Sequence, residues 1–175
     1  MDIGKAILGM RTRQNHALEH ATISILSKKQ QGLRVAARSV EDGFFVYGRV
    51  DGALLEESAR EGLRRLQEGE RDLAVHAHCG TNLAVAGVLA GVASMFAFNR
   101  QRGVAGLPSA VLGATMAVMA SQPVGRLVQR HITTSPNLDG VVIRGVRRFK
   151  LLNFEVLKVQ TAVEKPVVSL VPSEA

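Results

Sequence analysis

The chain has 175 residues, of which 46% are hydrophobic, and a formal net charge of +7. Its length accommodates one soluble domain or a small domain with a membrane anchor, and its single cysteine, Cys79, excludes an internal disulfide. The basic balance invites a nucleic-acid interpretation. However, the sequence has no tryptophan, one tyrosine and no dense basic stripe, so no nucleic-acid partner is expected.

The first predicted element is a helix over residues 13–28, which has two different faces. The mostly apolar face consists of Leu18, Ala21, Thr22 and Ile25. The other face is more polar and consists of His16, Glu19, His20 and Ile23.

The polar face contains the motif H-x-x-E-H at residues 16–20. Two imidazoles four residues apart on a helix project from one side, about one turn apart, and can hold a single metal ion. Glu19 stands beside them as a candidate base toward water that the metal activates. The motif is the inverted form of the H-E-x-x-H zinc motif. It therefore predicts a zinc site at His16 and His20, with Glu19 as the candidate catalytic residue.

Four elements are predicted between this helix and the first long apolar segment. Strands over residues 33–40 and 44–50 flank a Glu-Asp-Gly hairpin turn. Asp51 is the expected N-cap of a helix that ends near Glu68. A third strand is predicted over residues 72–78.

Two apolar segments follow, over residues 83–98 and 104–120, with two arginines in the turn between them. Each is close to the roughly 20 apolar residues that a membrane-spanning helix requires. They predict a transmembrane helical hairpin, and the alternative is a buried hairpin in a soluble protein. Gly87 and Gly91 form a G-x-x-x-G pattern that predicts close packing within the hairpin or between two copies of the chain.

Two more strands are predicted after the hairpin, over residues 141–147 and 154–161. The predicted order is helix, strand, strand, helix, strand, hairpin, strand, strand. We therefore predict an α+β fold in which one soluble domain contains an inserted transmembrane hairpin and is followed by a flexible tail. The boundaries of these parts are 1–80 with 126–163 for the domain, 81–125 for the hairpin and 164–175 for the tail.

The remaining candidate metal ligands flank the hairpin. A hairpin in a bilayer returns the chain to the side that it left, so both of its ends lie at one membrane face. His76, His78 and Cys79 precede the hairpin and His131 follows it. The N-terminal helix is predicted to dock there, with Cys79 and His131 as the preferred further ligands and His76 after them. Three protein ligands with an open position indicate a catalytic zinc site, and four indicate a structural one.

These residues also have interpretations without a metal. The His16–His20 pair can be a hydrogen-bonded feature of the core. The motif H-x-x-E-H is not rare in proteins, so its presence alone does not establish a metal site. The histidines near the hairpin can be solvated at the lipid headgroups, and Cys79 can be a small buried hydrophobic residue.

Several longer motifs run along the chain. They are R-x-R-Q-N-H-A-L-E-H-A-T at 11–22, G-F-x-V-Y-G at 43–48, A-V-H-x-x-C-G-T-N-L at 74–83, and Q-P-x-G and Q-R-H-x-T-T between 122 and 134. On these motifs the sequence resembles an uncharacterised family of small bacterial membrane proteins, over roughly residues 11 to 150. The resemblance implies a domain of unknown function with two membrane spans in the bacterial inner membrane, and it implies no activity.

A second resemblance covers residues 16–20 alone. They are similar to the motif of the inverted-zincin metallopeptidases, which pair the two histidines with a distant acidic ligand and use the glutamate as base. In this sequence no acidic residue stands out as the third ligand, and the candidates are Cys79 and His131 instead. The resemblance implies metal-dependent hydrolysis. This sequence departs from the metallopeptidase pattern in its third ligand, for which it offers no acidic residue.

Three functions remain as hypotheses. The first is a membrane-anchored zinc hydrolase or peptidase in which Glu19 is the base and Arg13 or Arg130 stabilises negative charge. The second is a non-enzymatic membrane protein with a structural or sensory metal, and the third is a metal-free scaffold subunit. The expected partners are the lipid bilayer and, through the glycine pattern, a second copy of the chain. Three arginines flank the hairpin: Arg71, Arg126 and Arg130. Because positive charges favour the cytoplasmic side of a membrane, they predict a cytoplasmic soluble domain.

Overall fold

The computed structural model describes residues 8–77, 79–99, 103–151 and 154–164 of the chain. Within these residues the fold is α+β, as predicted, and consists of four long helices and a four-stranded antiparallel sheet. The helices are α1 (Met10–Lys29), α2 (Gly52–Gln67), α3 (Gly80–Asn99) and α4 (Leu107–Val128). The strands are β1 (Ala36–Val40), β2 (Gly43–Tyr47), β3 (Val141–Leu151) and β4 (Phe154–Val163).

The sheet has the order β1-β2-β4-β3, so β1 and β3 are its edge strands. Period-two alternation gives it a buried inner face, since successive side chains in a strand point to opposite sides. The inner face of the two central strands is formed by Phe44, Val46, Leu157 and Val159. These residues share one hydrophobic core with α1 and α2, through side chains such as Leu18 and Leu55.

Helix α1 is buried well beyond its predicted apolar face. Asn15, Glu19 and His20 on this helix are buried as well. The Asn15 amide donates to the Val40 carbonyl oxygen at 2.7 Å, and its Oδ1 accepts from the Thr161 hydroxyl at 2.7 Å. Buried polar groups require such partners, so these bonds hold α1 against the sheet. They thereby fix the direction in which the histidines of α1 point.

The predicted third strand over residues 72–78 is wrong. Residues Arg71–Ala74 form a short 3-10 helix, and the chain beyond it has no strand partner among the described residues. Two amide side chains bind this backbone instead. Gln129 Oε1 accepts from the His76 N–H at 2.9 Å, and Asn82 Nδ2 donates to the Ala77 carbonyl at 2.7 Å. A side chain of α3 and one from the residue that follows α4 have thus taken the place of a neighbouring strand.

Helices α3 and α4 pack against each other and leave most of their apolar surface uncovered. Both are long and apolar enough to cross a membrane, and only 6% of each apolar window is buried inside the structure. At 20 residues, α3 is about 30 Å long, which matches the hydrocarbon thickness of a bilayer. The exposed large side chains include Leu83, Val88, Phe96, Leu112 and Met119.

The close contact between α3 and α4 is made by glycines outside the predicted G-x-x-x-G pattern. A Cβ at Gly87 or Gly91 meets no heavy atom within 4 Å in the described part of the chain. A Cβ at Gly113, in contrast, lies 3.2 Å from the carbonyl oxygen of Ala93. At Gly125 it collides with the side chain of Asn82. Within the hairpin the helices are therefore brought together at α4 glycines.

We expect a Gly125→Ala substitution to destabilise the protein by about 1–3 kcal/mol, because the new methyl group displaces Asn82 from its buried bond to Gln129. Thermal unfolding in detergent measures the effect. Gly87→Ala is the matched control, since it adds the same methyl group to a helix in open space and removes a glycine from the helix interior. Equal melting temperatures for the two variants would contradict the expectation.

Candidate metal centre

Three candidate ligands converge where α1 meets the start of α3. One ring nitrogen of His16, one of His20 and the sulfur of Cys79 all lie within 4.8 Å of one another. The helix spacing places the two imidazoles side by side, with ring centroids 4.4 Å apart. Cys79 is the residue that immediately precedes α3. The cluster therefore joins two segments that are 63 residues apart in the sequence.

Backbone carbonyls hold both imidazoles in one orientation. His16 Nδ1 lies 3.0 Å from the Thr133 carbonyl oxygen, and His20 Nδ1 lies 2.7 Å from the Ala74 carbonyl oxygen. A carbonyl can only accept a hydrogen bond, so Nδ1 carries the proton in both rings. In the neutral form of each ring Nε2 then carries the lone pair, which is the arrangement that metal-binding histidines adopt.

The two Nε2 atoms have different surroundings. His16 Nε2 lies 3.3 Å from Cys79 Sγ. His20 is only 3% exposed, and its Nε2 is buried with no hydrogen-bond partner among the described residues, although the ring lies near the thiol. A buried nitrogen without a partner costs on the order of 1–3 kcal/mol. This orphaned atom fits an ion that would complete its coordination.

The spacing of the donors also fits zinc. Tetrahedral bonds of about 2.3 Å to sulfur and 2.0 Å to nitrogen hold the two donors roughly 3.5 Å apart. The His16–Cys79 distance of 3.3 Å is close to that value. The 4.8 Å bound on the three donors exceeds this separation by about 1.3 Å, so the widest pair would have to close by up to that amount for all three donors to bind one ion.

Cys79 has surroundings that favour its thiolate. Burial raises the pKa of the thiol, but the His20 imidazole and Thr81 oppose it, and the pKa lies below its ordinary value. The sulfur accepts from the Thr81 N–H at 3.4 Å, in the first turn of α3, where the helix dipole also favours a negative charge. Since the thiolate is the form that binds metals, these surroundings favour Cys79 as a metal ligand.

Glu19 lies in the wall of the same cavity as the three donors. It is 8% exposed, and its Oε2 accepts a 2.5 Å hydrogen bond from the hydroxyl of Ser39 on β1. Burial raises the pKa of Glu19, and the Ser39 bond and the nearby His16 moderate the rise. A rise in pKa makes the ionised carboxylate a stronger base, which is the property that a general base uses.

The other candidates from the sequence lie around this cluster. His76 lines the cavity with its ring centroid 6.0 Å from that of His20, outside the three-donor group. The His131 side chain is exposed, and its carbonyl accepts from Arg13 at 3.0 Å. Arg130 pairs with Asp72 at 3.0 Å on the surface. His78 lies outside the described residues.

The cavity beside the cluster has a volume of about 890 Å³. Its wall includes residues of α1, residues 79–81 and consecutive residues of β1. The wall holds apolar side chains, including Ile23, Leu33 and Val35, as well as the polar groups of the cluster. A small polar centre in a largely apolar cleft is typical of a binding site for a substrate.

Sequence reasoning missed three supporting groups of the site: the Ser39 hydroxyl and the carbonyl oxygens of Ala74 and Thr133. Ser39 is detectable in principle, because strand alternation puts it on the inner face of β1. The carbonyl oxygens have no sequence signal, since every residue offers one.

Residues 11–146 match the family described as a domain of unknown function, DUF6391. The chain belongs to the DUF6391 family. This confirms the predicted membership in an uncharacterised family, and the matched range contains the three donors and Glu19. The DUF6391 chain is 32% identical over 141 residues to an uncharacterized protein of Picosynechococcus sp., and the match covers 73% of this chain and 67% of that protein. No solved structure matches the chain.

Proposed function

We propose that this DUF6391 protein is a membrane-anchored zinc hydrolase whose centre is formed by His16, His20, Cys79 and Glu19. The proposal depends on one observation above all. The buried, unpartnered Nε2 of His20 lies in a group of three nitrogen and sulfur donors, and this group opens into a cavity that also contains a buried carboxyl group.

A catalytic site is favoured over a closed structural one by the number of donors. Structural zinc sites have four protein ligands, whereas catalytic sites have three and an open position. The described residues supply three donors within reach of one another, and the cavity lies next to them. The fourth position is therefore available to a substrate or to water.

The roles of the residues follow from these contacts. Zinc held in such a site supplies a Lewis acid that polarises water and carbonyl oxygens. Glu19 accepts the proton of the attacking water, and the Ser39 hydroxyl orients its carboxyl group. The Thr133 and Ala74 carbonyls keep the two imidazoles in the tautomer that the metal needs.

The membrane location is supported by the surface of α3 and α4. An apolar surface of this extent, with only 6% of either window buried, is unfavourable in water and favourable in lipid. Cys79 precedes α3 and Thr133 follows α4, so the ends of both helices reach the cluster. The proposed reaction thus takes place at the membrane surface.

A second candidate function is a structural zinc site that clips α1 to the hairpin. It is favoured by the fact that the donors come from both segments, with His16 and His20 on α1 and Cys79 at the start of α3. This function predicts that loss of the metal lowers the melting temperature, with no turnover to lose.

The proposal is tested first on the wild-type protein. Membranes are washed with sodium carbonate, the full-length chain is extracted in detergent, and its metal content is determined by elemental analysis. We expect the chain to remain in the membrane pellet and to contain about one zinc ion per chain. A zinc chelator is expected to abolish hydrolysis of a small chromogenic ester, and added zinc is expected to restore it. A metal-free protein, or a chain released by carbonate, would contradict the corresponding part of the proposal.

A further inference from the structure

Part of the wall of the cavity next to the proposed zinc site is formed by an edge strand of the sheet. Five consecutive residues, Val35 to Ser39, line it, and four of them belong to β1. Strand β1 pairs only with β2 in the described sheet. A sheet edge carries backbone N–H and C=O groups that can bind a further strand.

The register of the sheet shows which of these groups face outward. The Thr161 N–H donates to the Asp42 carbonyl, which makes these two residues a hydrogen-bonded pair. Bonded and non-bonded pairs alternate along an antiparallel ladder, so the backbone groups of Gly43 are directed toward β1.

The same alternation then applies to β1. Gly43 is opposite Val40, and Phe45 is opposite Arg38, so these β1 residues use their backbone groups for the bonds to β2. The N–H and C=O groups of Ala37 and Ser39 consequently point to the free edge. Both residues line the cavity.

From this we infer that the cavity binds an extended polypeptide segment, which adds to the sheet as a fifth strand along β1 with backbone bonds to Ala37 and Ser39. The inference rests on the proposed function, because it names the substrate class of the same centre. Strand addition of this kind takes its affinity from main-chain hydrogen bonds and its specificity from alternate side chains.

Ser39 places such a strand beside the catalytic group. Its backbone faces the free edge, while its hydroxyl donates to Glu19 at 2.5 Å. A strand added along this edge therefore enters the cavity that Glu19 and the three donors also line. In hydrolysis, the water oxygen bonds to the carbonyl carbon, the C–N bond breaks, and the proton that Glu19 accepted passes to the departing amine.

The apolar side of the cavity matches this substrate. Ile23, Leu33 and Val35 form part of its wall, and the volume of about 890 Å³ holds several side chains. A polypeptide supplies apolar side chains at alternate positions, together with the backbone groups that satisfy the edge. A free amino acid or an anion would leave most of the edge and the apolar wall unused.

The test measures backbone protection on binding. Fluorescein-labelled β-casein, which lacks a stable fold, is added to the full-length, zinc-loaded Glu19→Gln protein in detergent, and hydrogen exchange is followed at β1. We expect slower exchange at the Ala37 and Ser39 amides, with little change at Arg38 and Val40, which are already bonded within the sheet.

A proline pair supplies the matched control. Ala37→Pro removes an outward N–H from β1, and we expect it to weaken casein binding about tenfold, in line with one lost hydrogen bond, at unchanged zinc content. Arg148→Pro removes an outward N–H from the opposite edge strand, β3, and leaves the binding unchanged. Melting temperatures verify that both variants are folded.

The outcomes separate this inference from the proposed function. If the wild-type protein holds zinc and hydrolyses the small ester, but casein fails to bind or leaves Ala37 and Ser39 unprotected, the inference is wrong and the hydrolase proposal stands. If casein protects the two amides but nothing is hydrolysed, the strand-binding edge stands and the catalytic role is wrong. Equal casein binding by Ala37→Pro and Arg148→Pro would also overturn the inference.

Discussion

Replacement of Glu19 by glutamine is expected to lower the rate of hydrolysis by about 10²–10⁴-fold, the usual contribution of a general base. The amide keeps the size of the side chain and an oxygen that accepts the Ser39 hydrogen bond, but it cannot take a proton from water. Glutamine at this position also leaves the three donors untouched. We therefore expect the zinc content and the melting temperature to remain those of the wild type.

The measurement compares initial rates on the small ester and on β-casein, with zinc determined in the same samples. Glu41→Gln is the matched control, because it makes the same chemical change at an exposed residue near the end of β1. Its rate is expected to equal that of the wild type. Wild-type activity in the Glu19→Gln protein would remove Glu19 from the mechanism, even if zinc remained bound.

Removal of one donor from the cluster should abolish stoichiometric zinc binding. We expect His20→Ala to weaken zinc affinity by at least about 100-fold, because two donors hold the ion far less firmly than three. His20 is buried and also bonds the Ala74 carbonyl, so part of any stability loss in this variant is unrelated to the metal. Cys79→Ser provides a second variant that changes a single atom and retains a hydrogen-bonding group toward His16.

His131→Ala is the matched control for these two variants. Its side chain is exposed and outside the three-donor group, while its contact to Arg13 uses the backbone carbonyl, which the substitution keeps. Its zinc content is expected to be unchanged. Zinc lost from His131→Ala but retained in Cys79→Ser would show that the ion is held by a different set of residues.

The melting temperature of the zinc-free Cys79→Ser protein decides between the two candidate functions. A structural clip between α1 and the hairpin predicts a clear fall, since metal binding then contributes to folding. A catalytic ion predicts that activity is lost with a smaller change in stability. The hydrogen bonds that already join the two parts, such as His16 to the Thr133 carbonyl and Arg13 to the Thr134 carbonyl, hold α1 in place without the metal.

The local elements of this protein could be predicted from the sequence, because their causes lie within a few residues. The i, i+4 spacing of His16 and His20 brings their rings together on any helix, and Asp51 caps α2 by accepting from the Leu54 N–H at 2.9 Å. The apolar composition of α3 and α4 required no knowledge of their neighbours. The α+β class followed from the alternation of such elements along the chain.

Only the tertiary structure decided the donor set and the cavity. The strand pattern at residues 72–78 was overridden, because two side chains bind the backbone there: Gln129, which is 53 residues from His76, and Asn82, which belongs to the following helix. The tautomer of His20 depends on a carbonyl 54 residues away, and no sequence pattern specifies which way a carbonyl points. The position of β1 at the sheet edge is likewise a property of strand order, which is set by packing across the whole domain.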